Sequence, residues 1–191
     1  MNGLRYLWER AKVIWNGAEL MFVPPPLNVQ RARAKLIFEF FADPSRLGPI
    51  GACGMVAQAQ GESAFDPCAI GDHGNALGLW QLWPGRRATA KDGIRNHAGQ
   101  IIMPGTGIDV DALVAAKDNS DAAVIAQCKV AWWELQHVEK RALRALKAAT
   151  TPYSAGHDAE VYYERSKTPG DPDKRGKFAD EWAKTFGVAA S

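Results

Sequence analysis

Apolar residues recur at intervals of three and four along most of the chain, and no stretch alternates long enough to suggest a half-buried strand. Residues 3–22 place Leu4, Leu7 or Trp8, Ala11, Trp15, Ala18 and Phe22 at helical spacing, which predicts an amphipathic helix packed on its own domain rather than on a membrane or partner. Pro24, Pro25 and Pro26 end that segment as a stiff extended spacer. Asn28 offers a cap for a helix reaching Phe41, with Val29, Ala32, Leu36, Ile37, Phe40 and Phe41 on one side and Arg31, Arg33 and Lys35 on a solvated face. After Asp43-Pro44, residues 49–63 predict a second helix. Its small residues Gly51, Ala52, Cys53, Gly54, Ala57 and Ala59 would let it sit deep among its neighbours.

Residues 86–107 are rich in Gly and basic side chains without strong periodicity, and read as loop with short helical turns. The longest helix is expected over residues 119–148. Asn119 or Ser120 caps it, and Val124, Ile125, Cys128, Trp132 and Leu135 form its buried stripe, leaving Trp133 at the surface or a cleft edge. Two further helices, residues 154–164 and 174–186, flank a turn containing Pro169, Gly170 and Pro172. The fold class is therefore mainly α. The division is an N-terminal helix and spacer over residues 1–27, followed by one main unit over 28–191.

Composition narrows the function. A 191-residue chain, 47% hydrophobic and 23% charged, suits a globular unit that folds without disulfide or metal. A net charge of +2 gives no case for nucleic acid and is compatible with an anionic polymer. Cys53 and Cys128 fall at apolar helix positions; a Cys53–Cys68 bridge is conceivable, and the odd count leaves a free thiol. His73, His97 and His137 lack helix-face ligand spacing and a carboxylate partner, so neither metal nor cofactor is expected. Arg5, Glu9, Arg10, Lys12 and Glu19 interrupt any apolar leader and exclude a spanning helix over residues 4–23.

Candidate chemistry concentrates in residues 58–84. Glu62 lies at a helix end, a turn-rich loop follows, and then comes the run Gly78-Leu79-Trp80-Gln81-Leu82-Trp83-Pro84. An acid at a helix end faced by Trp and Gln suits a sugar cleft. Apolar walls can hold the carboxyl protonated, Trp faces can stack on sugar C–H groups, and an amide can both donate and accept. Taken alone, one Glu near two Trp residues reads rather as a core helix with a solvated end.

The order Glu62-Ser63-x-Phe65-x-Pro67, then Gly71-Asp72, then Ala76-x-Gly78-Leu79-x-Gln81, resembles the lysozyme-like superfamily that cuts peptidoglycan. That superfamily includes soluble lytic transglycosylases, goose-type lysozymes and phage-tail lysozymes. Val161-Tyr162-Tyr163-Glu164-Arg165, the Pro-rich turn and the last basic helix resemble the phage-tail lysozymes in particular, as does the opening Phe38-x-Phe40-Phe41. The likeness spans about residues 30–187. Gly61, and Ala57-Gln58 where a Gly-Asn pair is common, depart from the pattern.

The resemblance implies a muramidase cutting the β-1,4 bond between N-acetylmuramic acid and N-acetylglucosamine, with Glu62 as general acid. Asp72 is the candidate second carboxylate, with an equal claim to be only a turn residue. Ser63, Phe65, Trp80, Gln81, Trp83, Tyr162 and Tyr163 are the candidate substrate contacts, with one of the two tyrosines expected in the core. Three readings compete: a lytic transglycosylase leaving 1,6-anhydromuramyl ends, a chitinase, and a non-catalytic wall-binding or tail-structural module, which an intact Glu62 and Gln81 argue against. The expected partners are glycan strands and a phage tail or holin system, and the protein is expected to be a monomer. Made in the bacterial cytoplasm or carried on a phage particle, it would act at the cell wall.

Overall fold

A computed structural model describes residues 12–15, 18–21, 24–164 and 171–189. Eight α-helices carry the fold, with strands only in three short two-stranded pairs among these residues. None of the described helices is long and apolar enough to cross a membrane.

The N-terminal segment departs from its helical expectation. Lys12–Trp15 (β1) and Ala18–Met21 (β2) pair as an antiparallel hairpin, with Lys12 opposite Met21 and Trp15 opposite Ala18. The signal was the two-residue Asn16-Gly17 link between apolar runs, the strongest short-range hairpin cue, which outweighs spacing that fits a helix. The other residues of the expected helix lie outside the described ones.

Helix α1 (Leu27–Phe41) begins one residue before Asn28, and Pro26 stands at its N-cap with no side-chain cap bond. A fixed proline φ starts the helix without a polar cap. Helix α2 (Gly48–Ser63) is the axis of the molecule. Residues 51–59 are all buried, as expected of a helix apolar on every side. Its glycines make that depth possible. A Cβ at Gly51 would lie 2.9 Å from the carbonyl oxygen of Leu146, and one at Gly54 would lie 2.5 Å from that of Ala155.

Between α2 and the next long helix the chain forms β3 (Ile70–Gly71), a single 3-10 turn (Asp72–Gly74), β4 (Ala76–Leu77) and α3 (Pro84–Asp92). The hairpin β5 (Ile94–Arg95) and β6 (Ile101–Met103) and the short α4 (Val110–Ala115) follow. The basic stretch is thus a nine-residue helix and a hairpin rather than loop alone.

The expected long helix is two. Helix α5 (Asp121–His137), capped by the Ser120 side chain on the Ala123 amide, ends at Val138, and α6 (Lys140–Ala148) starts after Glu139. Trp133 is buried and Trp132 only partly so, the reverse of the expected assignment. Helix phase decides this: α5 turns Gln127, Ala131 and Glu134 inward with Trp133, whose indole N–H donates to the Pro104 carbonyl at 2.9 Å.

Helix α7 (Pro152–Asp158) opens with a Thr151–Ser154 capping box and runs directly into a π-helical turn, Ala159–Glu164. Helix α8 (Asp171–Phe186) closes the bundle against α2 and α7. All three cysteines are free; burial pushes the Cys53 thiol up to about 12, as does the nearby Asp180 charge, so Cys53 is a core residue rather than a nucleophile.

Candidate active site

Glu62 occupies the last turn of α2, immediately before the backbone leaves the helix through Ala64 (φ 49°) and Phe65 (φ 65°). Of the six non-glycine residues with positive φ among those described, five fall between positions 64 and 81: Ala64, Phe65, Asp72, His73 and Gln81. Left-handed backbone costs free energy for residues with a Cβ, so tertiary contacts must hold this loop in shape.

Those contacts are specific. The Ser63 hydroxyl hydrogen-bonds the carbonyls of Ala59 and Leu79, both at 3.1 Å, tying the end of α2 to the Gly78–Gln81 segment. Gln127 of α5 accepts from the Leu79 amide at 2.7 Å and donates to the Pro67 carbonyl at 2.8 Å. Its Oε1 occupies the place a Cβ would take on Gly78, whose φ of +77° excludes most other residues. Arg33, expected on a solvated face, is instead buried and donates to the Phe65 carbonyl at 3.0 Å and to Asn119. Arg87 grips Asp111 through two nitrogens and donates to the carbonyls of Asn75, at 2.7 Å, and Leu82.

The candidate residues divide by exposure. Phe65, Trp80 and Tyr163 are fully buried and Ser63 nearly so. Phe65, Trp80 and Ser63 thus present no face to solvent, against their expected place as substrate contacts, and Tyr163 is the core member of the tyrosine pair. The physical reason is visible for Trp80: its indole N–H donates to the Gln127 carbonyl at 3.0 Å, and its ring meets Phe41 and Tyr163 edge to face. Trp83 stands in the open at 53% exposure. Tyr162 is half-buried beneath the Arg141 guanidinium. Gln81 is half-buried, and its amide nitrogen donates to the carbonyls of Gly78 and Ala69 at 3.0 and 3.3 Å.

Asp72 is exposed, with a φ of 44°. Its carbonyl accepts the Asn75 amide at 3.0 Å, and its carboxylate lies 3.5 Å from the Asn75 side-chain nitrogen. These are the bonds of a turn.

Around Glu62 the structure assembles charges that sequence reading did not connect. Arg175 of α8 donates through Nη2 to Glu62 Oε1 at 2.6 Å, and Gln58, one turn back on α2, donates to the same oxygen at 3.2 Å. Oε2 takes part in neither bond. The Glu62 side chain is 15% exposed. Burial drives its carboxyl above the ordinary carboxylate range, Arg175 opposes this, and Glu160 reinforces it. Arg175 Nε lies 3.1 Å from Glu160 Oε2.

A second guanidinium completes the cluster. Arg86, at the start of α3, is held by Glu134 of α5 through Nε at 2.9 Å and Nη2 at 3.2 Å, and the Tyr163 hydroxyl donates to Glu134 Oε2 at 2.8 Å. Arg86 Nη1 lies 3.9 Å from Glu164 Oε2. Burial pushes Glu164 up to about 8, and the Glu62 charge adds to it.

The one sequence signal for these partners was the segment Val161–Glu164, whose aromatic and acidic residues fit a site-facing turn. Arg86 and Arg175 carried none: Arg86 falls in the Gly-rich basic stretch and Arg175 in the last basic helix, with no feature that marks either. Among the described residues, no group of three or more His, Cys, Asp or Glu side chains is arranged to hold a metal ion.

The family model described as phage tail lysozyme matches residues 32–186. No curated protein matches the chain.

Proposed function

The chain belongs to the phage tail lysozyme family, a phage-associated group of peptidoglycan-lytic enzymes, and we propose that it is a muramidase in which Glu62 is the general acid. The bond cut is the β-1,4 link between N-acetylmuramic acid and N-acetylglucosamine. The observation that carries this reading is the placement of Glu62: a largely desolvated carboxyl at a helix end, with Oε1 engaged by Arg175 and Gln58 and Oε2 outside both bonds.

Proton transfer from Glu62 to the leaving oxygen would relieve charge there as an oxocarbenium-like centre forms. The exposed Trp83 ring offers a stacking face for a sugar, and half-buried Gln81 and Tyr162 offer further polar groups. Delivery to the wall would come from a phage particle or through a holin.

Asp72 would hold the attacking water in a hydrolase. Its turn-like bonds support a second reading, a lytic transglycosylase, in which the C6 hydroxyl of the muramic acid attacks in place of water and leaves a 1,6-anhydro end.

Digestion of purified peptidoglycan, followed by product mass, tests both readings. Glu62→Gln should lose about 10²–10⁴-fold in cleavage with an unchanged circular dichroism spectrum. A variant retaining more than about a tenth of parental activity removes Glu62 from the acid role. Products differing by one water separate hydrolysis from transglycosylation.

A further inference from the structure

Arg175, Gln58 and Glu62 close a triangle of hydrogen bonds. Arg175 Nη2 donates to Glu62 Oε1 at 2.6 Å, Arg175 Nε donates to Gln58 Oε1 at 3.4 Å, and Gln58 Nε2 donates to Glu62 Oε1 at 3.2 Å. A guanidinium has no acceptor, so its bond to Gln58 settles which end of that amide is oxygen and turns the nitrogen toward Glu62. Both donors fall on Oε1, which makes it the carbonyl oxygen of a neutral carboxyl and puts the proton on Oε2. Gln58 and Arg175 are buried, so water does not compete for these bonds.

Arg175 is anchored at both ends. Its backbone lies so close to α7 that a Cβ on Gly156 would clash with the Arg175 carbonyl oxygen. At its head, Nε lies 3.1 Å from Oε2 of the buried Glu160. A cation held this way cannot follow Glu62 through many rotamers; the carboxyl must come to it.

We infer that Arg175 is a positioning residue acting through Glu62: by holding Oε1 it makes Oε2 the oxygen that gives up the proton, and it stabilises the carboxylate that Glu62 becomes. This rests on the reading of Glu62 as the acid. In the step itself the proton on Oε2 passes to the glycosidic oxygen. The electron pair of the breaking C–O bond stays on that oxygen, and Glu62 is left negatively charged. The Arg175 bond thus begins as a cation on a neutral acceptor and ends as a close ion pair in a largely desolvated site. It strengthens as the barrier is climbed, which is the condition for speeding a step. Burial keeps the proton on the resting acid, and Arg175 favours its departure.

The test is steady-state cleavage of solubilised peptidoglycan by the parent and by Arg175→Ala. The variant should lose about 10–10²-fold in kcat, less than the whole contribution of the acid, with KM within about twofold of the parent. Guanidinium at a millimolar, non-denaturing concentration should recover part of the loss, and urea, which has a similar shape and no charge, should not. Gln58→Met, which keeps the bulk and removes the donor, should lower kcat by a smaller factor. Added to Glu62→Gln, Arg175→Ala should cost nothing further, because its effect runs through Glu62. Where loss of the cation strands the buried Glu160 charge and prevents folding, Glu160→Gln in the same chain removes that charge, and Glu160→Gln alone becomes the reference.

Parental kcat in the folded variant, a loss carried by KM, or a loss that guanidinium leaves untouched overturns the proposal. If Glu62→Gln keeps the parental rate, it is the acid assignment that fails. If Glu62→Gln is inactive while Arg175→Ala keeps its kcat, the acid stands and the role of Arg175 falls.

Discussion

The guanidinium of Arg175 occupies the space that a Cβ on Gly61 would fill. Gly61, which departs from the family pattern in sequence, is therefore the opening through which α8 reaches the carboxyl of the neighbouring Glu62. Trp182 makes the same crossing, donating its indole N–H to Gln60 at 2.7 Å. The last helix thus seals the Glu62 end of α2, and one methyl-sized gap decides how closely.

Gly61→Ala should separate these effects. Alanine favours a helix interior by about 1 kcal/mol over glycine, which offsets part of the cost of moving Arg175. Melting temperature should change little, while Glu62, losing its cation, should hold its proton to higher pH. A pH–rate profile identical to the parent's would show that Arg175 does not govern Glu62.

Trp80 and Trp83, three residues apart, should respond in opposite ways. Trp80→Ala empties a fully buried site and removes the indole bond to the Gln127 carbonyl, costing about 3–5 kcal/mol in chemical denaturation. Trp83→Ala removes a half-open ring, leaving stability within about 0.5 kcal/mol but raising KM for glycan. An unchanged KM would end the case for Trp83 as a sugar platform.

If Asp72 only shapes the turn, as the transglycosylase reading requires, Asp72→Asn should retain cleavage within about threefold of the parent, because Asn shares the left-handed conformational habit. A fall of about 10²-fold or more, with hydrolysed rather than anhydro products, would restore Asp72 as the base that positions water.

Stability should carry the signature of Glu164. Its carboxyl titrates near 4.5 when unfolded and is pushed up to about 8 when folded. The folded state therefore binds more protons between those values, and this group's contribution declines as pH rises through about 8. Urea denaturation of the parent at pH 5 and 8.5 should show that decline, and Glu164→Gln should flatten it. Equal slopes in both proteins would contradict the raised value.

The sequence by itself determined the helical class, because capped segments with three-and-four spacing can bury their stripes in few other ways. It also singled out Glu62 and the Gly78–Gln81 run as the candidate site, since short motifs carry their chemistry locally. Small residues in α2 foretold close packing, and Ser120, one of two candidates, capped its helix. What the sequence left undecided concerns direction and distance. Adjacent side chains on a helix differ by roughly 100° in bearing, so neighbours such as Trp132 and Trp133 are sorted only by the phase that packing imposes. The break between α5 and α6 occurs at Val138 and Glu139, with neither Gly nor Pro to mark it. The charges that set the proton affinity of Glu62 come from α8, the π-helical turn and α3. Arg175 is 113 positions away from it along the chain. Coulomb energy depends on separation in space and on desolvation, and only the folded chain fixes either one.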